Sequence, residues 1–306
     1  YSANRIPEIS GDIINIDNAM KWGYGWELGP FECWDAMGVE ATVARMKKEN
    51  KNVPSWVDDM LASGRKTFYE SSNGKRTYYD VISASVKTID DDPEAINLNL
   101  KKSGNNLIKR DWSASLIDLG DGVLNVEFHS ALQPTLNPID SSMGEVMNDA
   151  MDLLDAGKYR ALVIGHEGAN FCAGANLANM IQVIDAKDFD KINNDIKQFQ
   201  DLMQRVRFSK APVVAAPHHL ALGGGFEIAA PAVHRVALGE LYMGAVEIGV
   251  GLVPGAGGNL RILLNLTENS GSGRLNAFQV SQKAFETIAF AKVSTSADEA
   301  KHLGYL

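Results

Sequence analysis

Three glycine-rich segments, each lying behind a short apolar run, constrain this chain more than any other feature. They are Phe171-Cys172-Ala173-Gly174-Ala175-Asn176, Leu222-Gly223-Gly224-Gly225-Phe226-Glu227 and Pro254-Gly255-Ala256-Gly257-Gly258, the last preceded by Glu247 at the end of its own apolar stretch. Small residues at a strand end let a ligand approach the backbone closely. The second segment runs into Ile228-Ala229-Ala230, so its glycines fall at a helix start, where unpaired N–H groups and the helix dipole favour a developing negative oxygen. Two such donors make an oxyanion hole. Each glycine cluster alone is equally explained by a tight turn or close packing. Their conjunction with Glu227 and Glu247 is harder to explain that way, because an unpaired buried glutamate is costly.

The rest of the chain divides by pattern. Residues 4–69 read as helical: Asp17-Asn18 offers caps, Val39, Val43 and Met46 recur at helical spacing, and Pro54 stops the run. Trp22, Trp26, Trp34 and Trp56 fall here, four of the five tryptophans, and point to a small aromatic-packed core. The turn signal Ser71-Ser72-Asn73-Gly74 and the charged break Asp90-Asp91-Asp92-Pro93 mark a loosened stretch. The expected organisation is therefore a helical domain over 1–80, a linker over 81–112 and an α/β domain over 113–306.

Within that α/β domain, 115–119 and 123–128 read as paired strands around Gly120-Asp121-Gly122, and 161–164, 212–216 and 234–238 as further strands. Ser142 and Glu145 have capping-box spacing ahead of Val146, Met147, Ala150, Met151 and Leu154, one face of a helix. A long amphipathic helix carries Phe189, Ile192, Ile196, Phe199, Leu202 and Val206. The progression is ββα-like rather than a strict alternation of strand and helix.

Composition removes several functions. With 306 residues, 45% hydrophobic and 22% charged, the chain has the balance of a soluble globular protein, and no apolar run reaches bilayer length. A net charge of -9 argues against a nucleic-acid surface. Cys33 and Cys172 are too few and too far apart in sequence for a disulfide framework, which suits a cytoplasmic setting. Tyr1-Ser2-Ala3 has no initiating Met, as expected of a piece of something longer. His218-His219 lacks metal-ligand spacing, and no metal is expected. Nor is there a nucleophile elbow or a serine near Gly224 to support peptidase chemistry.

In order and separation, Ala173-Gly174-Ala175, Leu222-Gly223-Gly224-Gly225-Phe226-Glu227 and Glu247 through Gly258 resemble the signature segments of the crotonase (enoyl-CoA hydratase) family. The resemblance implies a ClpP/crotonase-like α/β fold, a ββα superhelix, preceded here by a small all-α domain. It implies an acyl-CoA thioester as substrate, with no cofactor needed for hydration. It places the oxyanion hole at the N–H groups of Ala173 and Gly224, the catalytic acids at Glu227 and Glu247, and water or substrate positioning at Gly255. Glu227 would activate water and Glu247 would give a proton to the α-carbon. Relatives that isomerise 3-enoyl-CoA commonly keep one acid, so the pair favours hydration; a non-catalytic acyl-CoA-binding or assembly module is the other alternative.

Asn4-Arg5-Ile6-Pro7-Glu8-Ile9-Ser10-Gly11-Asp12 and Trp26-Glu27-Leu28-Gly29-Pro30-Phe31-Glu32-Cys33-Trp34-Asp35 resemble the last helical domain of 3-hydroxyacyl-CoA dehydrogenases. That implies a multifunctional β-oxidation parent, with a homo-oligomer or a thiolase as its partner and NAD bound only in a dehydrogenase portion absent here. Gly271-Ser272-Gly273 is no dinucleotide fingerprint, and Asn269 through Gly273 resembles a local insertion. Asn176 departs from the Asp frequent in the family's first motif. The ending from Ser296 to Leu306 resembles an internal family segment normally followed by further helices.

Overall fold

The computed structural model describes residues 1–72, 74–90, 95–269 and 276–306. Asn73, Asp91, Asp92 and Pro93 of the expected turn and break, and Ser270 through Gly273 of the expected insertion, lie outside the described residues. The chain divides into two compact units, Tyr1–Asn105 and Asn106–Leu306.

The first unit opens with helices α1 (Ile13–Tyr24), α2 (Pro30–Met37), α3 (Val39–Lys48) and α4 (Ser55–Ala62). Asp12, not Asp17 or Asn18, caps α1, accepting from Asn15 N–H at 2.7 Å. Asp17 lies inside α1, buried, and caps a different helix: its carboxylate accepts from the N–H groups of Phe31 (2.8 Å) and Glu32 (3.2 Å) in α2 and from Tyr69 Oη (2.8 Å). Burial pushes its pKa up while those donors oppose the shift. An antiparallel sheet of β1 (Tyr69–Ser72), β2 (Lys75–Asp80) and β3 (Ser85–Thr88) comes next, then α5 (Leu98–Ser103). The expected all-helical composition thus fails from Tyr69 onward. Polar side chains such as Arg76 and Lys87 hide a sheet whose inner residue Tyr79 is buried.

Phe68 centres this unit's core, its ring 5.1 Å from Phe31, 5.2 Å from Trp34 and 5.8 Å from Trp56. Trp22 and Trp26 face solvent instead, so half of the expected tryptophan cluster is core and half is surface.

The second unit begins with β4 (Leu107–Arg110), β5 (Ala114–Gly120) and β6 (Val123–Phe128), an antiparallel run. The stretch 81–112, expected as linker, therefore carries β3, α5 and β4; their short runs and mixed polarity have no clear period. Then come α6 (Ser141–Asp155), β7 (Ala161–Ile164), α7 (Leu177–Asp185), α8 (Phe189–Arg207), β8 (Val213–Ala215), β9 (His219–Leu222), α9 (Gly224–Ala229), β10 (His234–Arg235) and β11 (Leu241–Gly244). A 3-10 turn over Glu247–Val250 leads to α10 (Gly258–Asn269), α11 (Ala277–Ala289) and α12 (Ala297–Leu303).

Six strands form one sheet in the order β10-β8-β7-β6-β5-β4, parallel from β6 to β10, while β9 and β11 pair in parallel as a second small sheet. The core is made by Leu124, Val126, Leu162, Ile164 and Val213 from the main sheet and by Met143, Val146, Met147, Ala150, Met151 and Leu154 along one face of α6. Asp140, not Ser142, caps α6, accepting from Met143 N–H at 3.1 Å. Ser142 is buried and takes the Ser113 N–H at 3.0 Å, tying the helix start to β5. Among the described residues no helix is long and apolar enough to cross a membrane.

Truncating Phe68 to Ala removes the ring that three aromatic partners share, and it is expected to destabilise the first unit by about 3–5 kcal/mol. Urea unfolding followed by tryptophan fluorescence measures this, since four of the five tryptophans lie in that unit.

Candidate active site

The first two glycine segments meet edge to edge. Cys172 N–H donates to Leu220 O (2.9 Å) and Leu222 N–H to Cys172 O (3.0 Å), so the loop after β7 runs as a short ladder along β9. The glycines bring the turns together beyond that ladder. A Cβ on Gly225 would stand 2.1 Å from Cys172 O, so no side chain fits there, and one on Gly174 would stand 3.5 Å from Gly224 N. The approach of the loop is braced from behind by His166. Its Nε2 donates to Phe171 O (2.9 Å) and its Nδ1 accepts from Gly168 N–H (3.1 Å). Burial lowers its pKa to about 4, so the ring braces the loop as a neutral imidazole. His218 is also structural in its contacts, its Nε2 donating to Gly168 O at 2.8 Å.

This geometry corrects one expected donor. Ala173 N–H is spent on Leu136 O at 2.8 Å and cannot also hold a ligand oxygen. Two residues on, past Gly174, Ala175 N–H has no acceptor among the described residues, and neither has Gly224 N–H, the first amide of α9. The two lie across one narrow gap: a Cβ on Gly224 would stand 3.9 Å from Ala175 N, beside Ile139 and Phe199. Ala175 and Gly224 are therefore the amide pair available to a carbonyl oxygen. The sequence offers two alanines around one glycine, and only the pairing of the loop with Leu136 distinguishes them.

Glu227 and Glu247 occupy contrasting environments. Glu227, in the first turn of α9, is buried, and its Oε1 accepts from the N–H groups of Ala256 and Gly258, both at 2.8 Å. Gly258 must lack a side chain, for a Cβ there would stand 3.0 Å from Glu227 Oε1 and 2.9 Å from the Phe226 ring. Burial raises the pKa of Glu227, and the amides of the third glycine segment pull it back down. Glu247 comes after β11, at the start of the 3-10 turn. Both its oxygens are buried without a hydrogen-bond partner among the described residues. Its own amide and that of Val246 lie close enough to favour the anion, without forming a hydrogen bond. Burial outweighs them, and the charge of Glu227 adds to it, so the pKa of Glu247 rises to about 7.

Gly255, expected to position water or substrate, lies in the loop that cradles Glu227, and its carbonyl accepts from Gln200 Nε2 of α8 at 2.6 Å. Cys172 is fully buried with its thiol pushed up to about 12, which suits a packing role. Together the elements offer two converging amides, one carboxylate that the backbone helps to ionise and one whose ionised form burial disfavours. That combination can stabilise an oxyanion while one proton is taken and another given.

Residues 132–272 match the family model described as enoyl-CoA hydratase/isomerase. Over all 306 residues the chain is 41% identical to a probable 3-hydroxyacyl-CoA dehydrogenase of Bacillus subtilis (strain 168), covering 37% of that protein. It is 26% identical over 262 residues, 84% of this chain, to a putative fatty acid oxidation complex trifunctional enzyme of Rickettsia felis, covering 32% of it. The chain thus spans about a third of the length of these curated relatives. Among solved structures, enoyl-CoA hydratase from Thermoplasma volcanium GSS1 superposes with a TM-score of 0.51 at 25% identity, over 64% of this chain and 71% of that one. Residues 132–272 thus form a domain of the enoyl-CoA hydratase/isomerase type, and the second unit has the crotonase fold.

Proposed function

We propose that the second unit is an enoyl-CoA hydratase, adding water to a trans-2-enoyl-CoA to give the 3-hydroxyacyl-CoA. The observation that carries this reading is the unequal pair of glutamates, one met by two amides and one met by none. The thioester oxygen lies between the N–H groups of Ala175 and Gly224, which oppose the charge that gathers on it as the enolate forms; donors of this kind are worth about 3–4 kcal/mol each in the transition state. Glu227 takes a proton from water as its oxygen bonds to C3. Glu247 gives its proton to C2. The net change is one water across the double bond, and the two carboxyls are reset by passing a proton from Glu227 to Glu247. The acyl-CoA is substrate, and this chemistry uses no resident cofactor.

For the longer protein of which this chain is the counterpart of about a third, we propose the coupled dehydrogenase and hydratase activities of a cytoplasmic β-oxidation enzyme. The dehydrogenase name belongs to the Bacillus relative, of which this chain covers 37%, and we assign NAD only to a dehydrogenase portion outside this chain.

Incubating the protein separately with 2-enoyl-CoA and 3-enoyl-CoA tests the reading, with loss of the conjugated thioester reporting hydration of the first and its gain reporting isomerisation of the second. Consumption of the 2-enoyl substrate with formation of the 3-hydroxy product is expected. Conversion of the 3-enoyl substrate alone makes the domain an isomerase, and binding without turnover of either makes it a binding module. Glu247→Gln is expected to lower the hydration rate by at least about a hundredfold. The native pH–rate profile should be bell-shaped: it falls on the acid side as Glu227 is protonated, and on the basic side as pH rises through about 7 and Glu247 loses its proton.

The same carboxyl also sets a stability signature. Because the folded-state pKa of Glu247 lies above its ordinary 4.5, its burial costs nothing below that pH, and the cost grows until pH passes about 7. Glu247→Gln should therefore leave the thermal midpoint nearly unchanged at pH 4 and raise it at pH 8, as scanning calorimetry at both pH values would show. An equal shift at both pH values would mean that Glu247 is ionised at neutral pH in the folded protein.

A further inference from the structure

The peptide joining Gly255 to Ala256 is engaged at both ends. Its N–H donates to Glu227 Oε1 at 2.8 Å, and its C=O accepts from Gln200 Nε2 at 2.6 Å. A peptide unit is planar, so a donor fixed on its oxygen also fixes the direction in which its N–H points. Rotation of that plane would carry the N–H away from Glu227 and break the Gln200 bond as well. A hydrogen bond on the carbonyl further polarises the N–H opposite, which strengthens its hold on the carboxylate.

Gln200 is well placed for this task and poorly explained by packing. Ile196, Phe199 and Gln200 share one face of α8 by their spacing. Ile196 Cγ2 comes within 4.0 Å of where a Gly255 Cβ would stand, and Phe199 Cε1 within 3.7 Å of where a Gly224 Cβ would stand. The face that α8 turns to the glycine segments is thus apolar except for Gln200, which is itself exposed. A leucine or methionine there would offer no donor, whereas the Gln200 amide reaches Gly255 O.

We infer that Gln200 is a positioning residue: by holding the Gly255 carbonyl it aims the Ala256 N–H at Glu227 and keeps that carboxylate in the ionised form that accepts the proton of water. The inference rests on the proposed role of Glu227 as base. Gln200 touches no reacting atom; its action passes through one peptide plane.

The test compares native protein with Gln200→Met, which keeps length and removes the donor, and Gln200→Lys, which restores one. Carbon-13 NMR of glutamate-labelled protein, with Glu227 assigned by its loss in Glu227→Gln, follows the carboxyl titration directly. In parallel, hydration of 2-enoyl-CoA is measured across pH. Gln200→Met should move the Glu227 titration, and the acid limb of the rate profile, upward by about half to one pH unit, the scale of one hydrogen bond. At a pH below that limb kcat should fall about three- to tenfold with KM changed less than about twofold, while the thermal midpoint stays put. Gln200→Lys should return both readings toward native. A Glu227 titration unmoved by Gln200→Met overturns the proposal, as does a loss of kcat that tracks a loss of thermal stability with no shift of the limb. If the native protein hydrates nothing, the functional reading fails, and the NMR titration still decides whether Gln200 acts on Glu227.

Discussion

Glu227 is met in its buried position by the main-chain amides of Ala256 and Gly258, with no cation against it among the described residues, and the rest of the site is arranged around that choice. An arginine or lysine in the same place would hold the carboxylate ionised more firmly, and it would equally hold a second carboxylate nearby. Amide donors are short-ranged and directional, so they reach Glu227 and leave Glu247 to the low dielectric around it. The outcome is a separation of two chemically identical groups by environment alone, which is what acid–base chemistry at a single pH requires. The same reliance on backbone explains the glycines. Gly225 lets α9 seat against Cys172 O, and Gly258 leaves room for the Glu227 carboxylate beside its N–H.

Much of the second unit was legible because its signals are local. A strand such as β6, opened by the turn Gly120-Asp121-Gly122, and a helix such as α6 with Met143, Met147 and Met151 on one face, announce themselves by local pattern. The first unit was less so. Its sheet consists of four- to six-residue strands with polar faces, and short strands of that kind have no alternation to read. Asp17 shows the deeper limit. By sequence it is a cap for the residues just after it, yet in space it caps α2 across a turn, because the amides that need it belong to another helix.

The site was legible in its parts and not in its pairing. Glu227, Glu247, Gly224 and Gly255 fall where the motifs put them, at the junctions of β9 with α9, β11 with the 3-10 turn, and the loop before α10. The free amide on the first segment did not, since Ala173 and Ala175 are the same residue on either side of Gly174. Which amide is free depends on where the partner strand stops, and Leu136, the acceptor that claims Ala173, is far upstream in a stretch with no motif at all. Gln200 was invisible for a related reason: on a helical face its neighbours Ile196 and Phe199 read as packing, and its role lies in a carbonyl fifty-five residues away.

Dependence on main chain also decides which side-chain departures the domain can absorb. Asn176 stands where the family resemblance implies Asp, a difference of one charge immediately after the Ala175 amide. In the structure it caps α7, its side-chain oxygen accepting from Asn179 N–H at 3.2 Å, a task for which an amide oxygen serves as a carboxylate does. The backbone direction through Ala175 is fixed upstream by the Ile139 N–H on Gly174 O at 2.8 Å and by the Cys172 ladder, neither of which involves the Asn176 side chain. A site built from amide groups is therefore insulated from substitutions at positions that do not alter where the chain runs. It is exposed at the few positions that do: the glycines, and the one glutamine that holds a peptide plane in register.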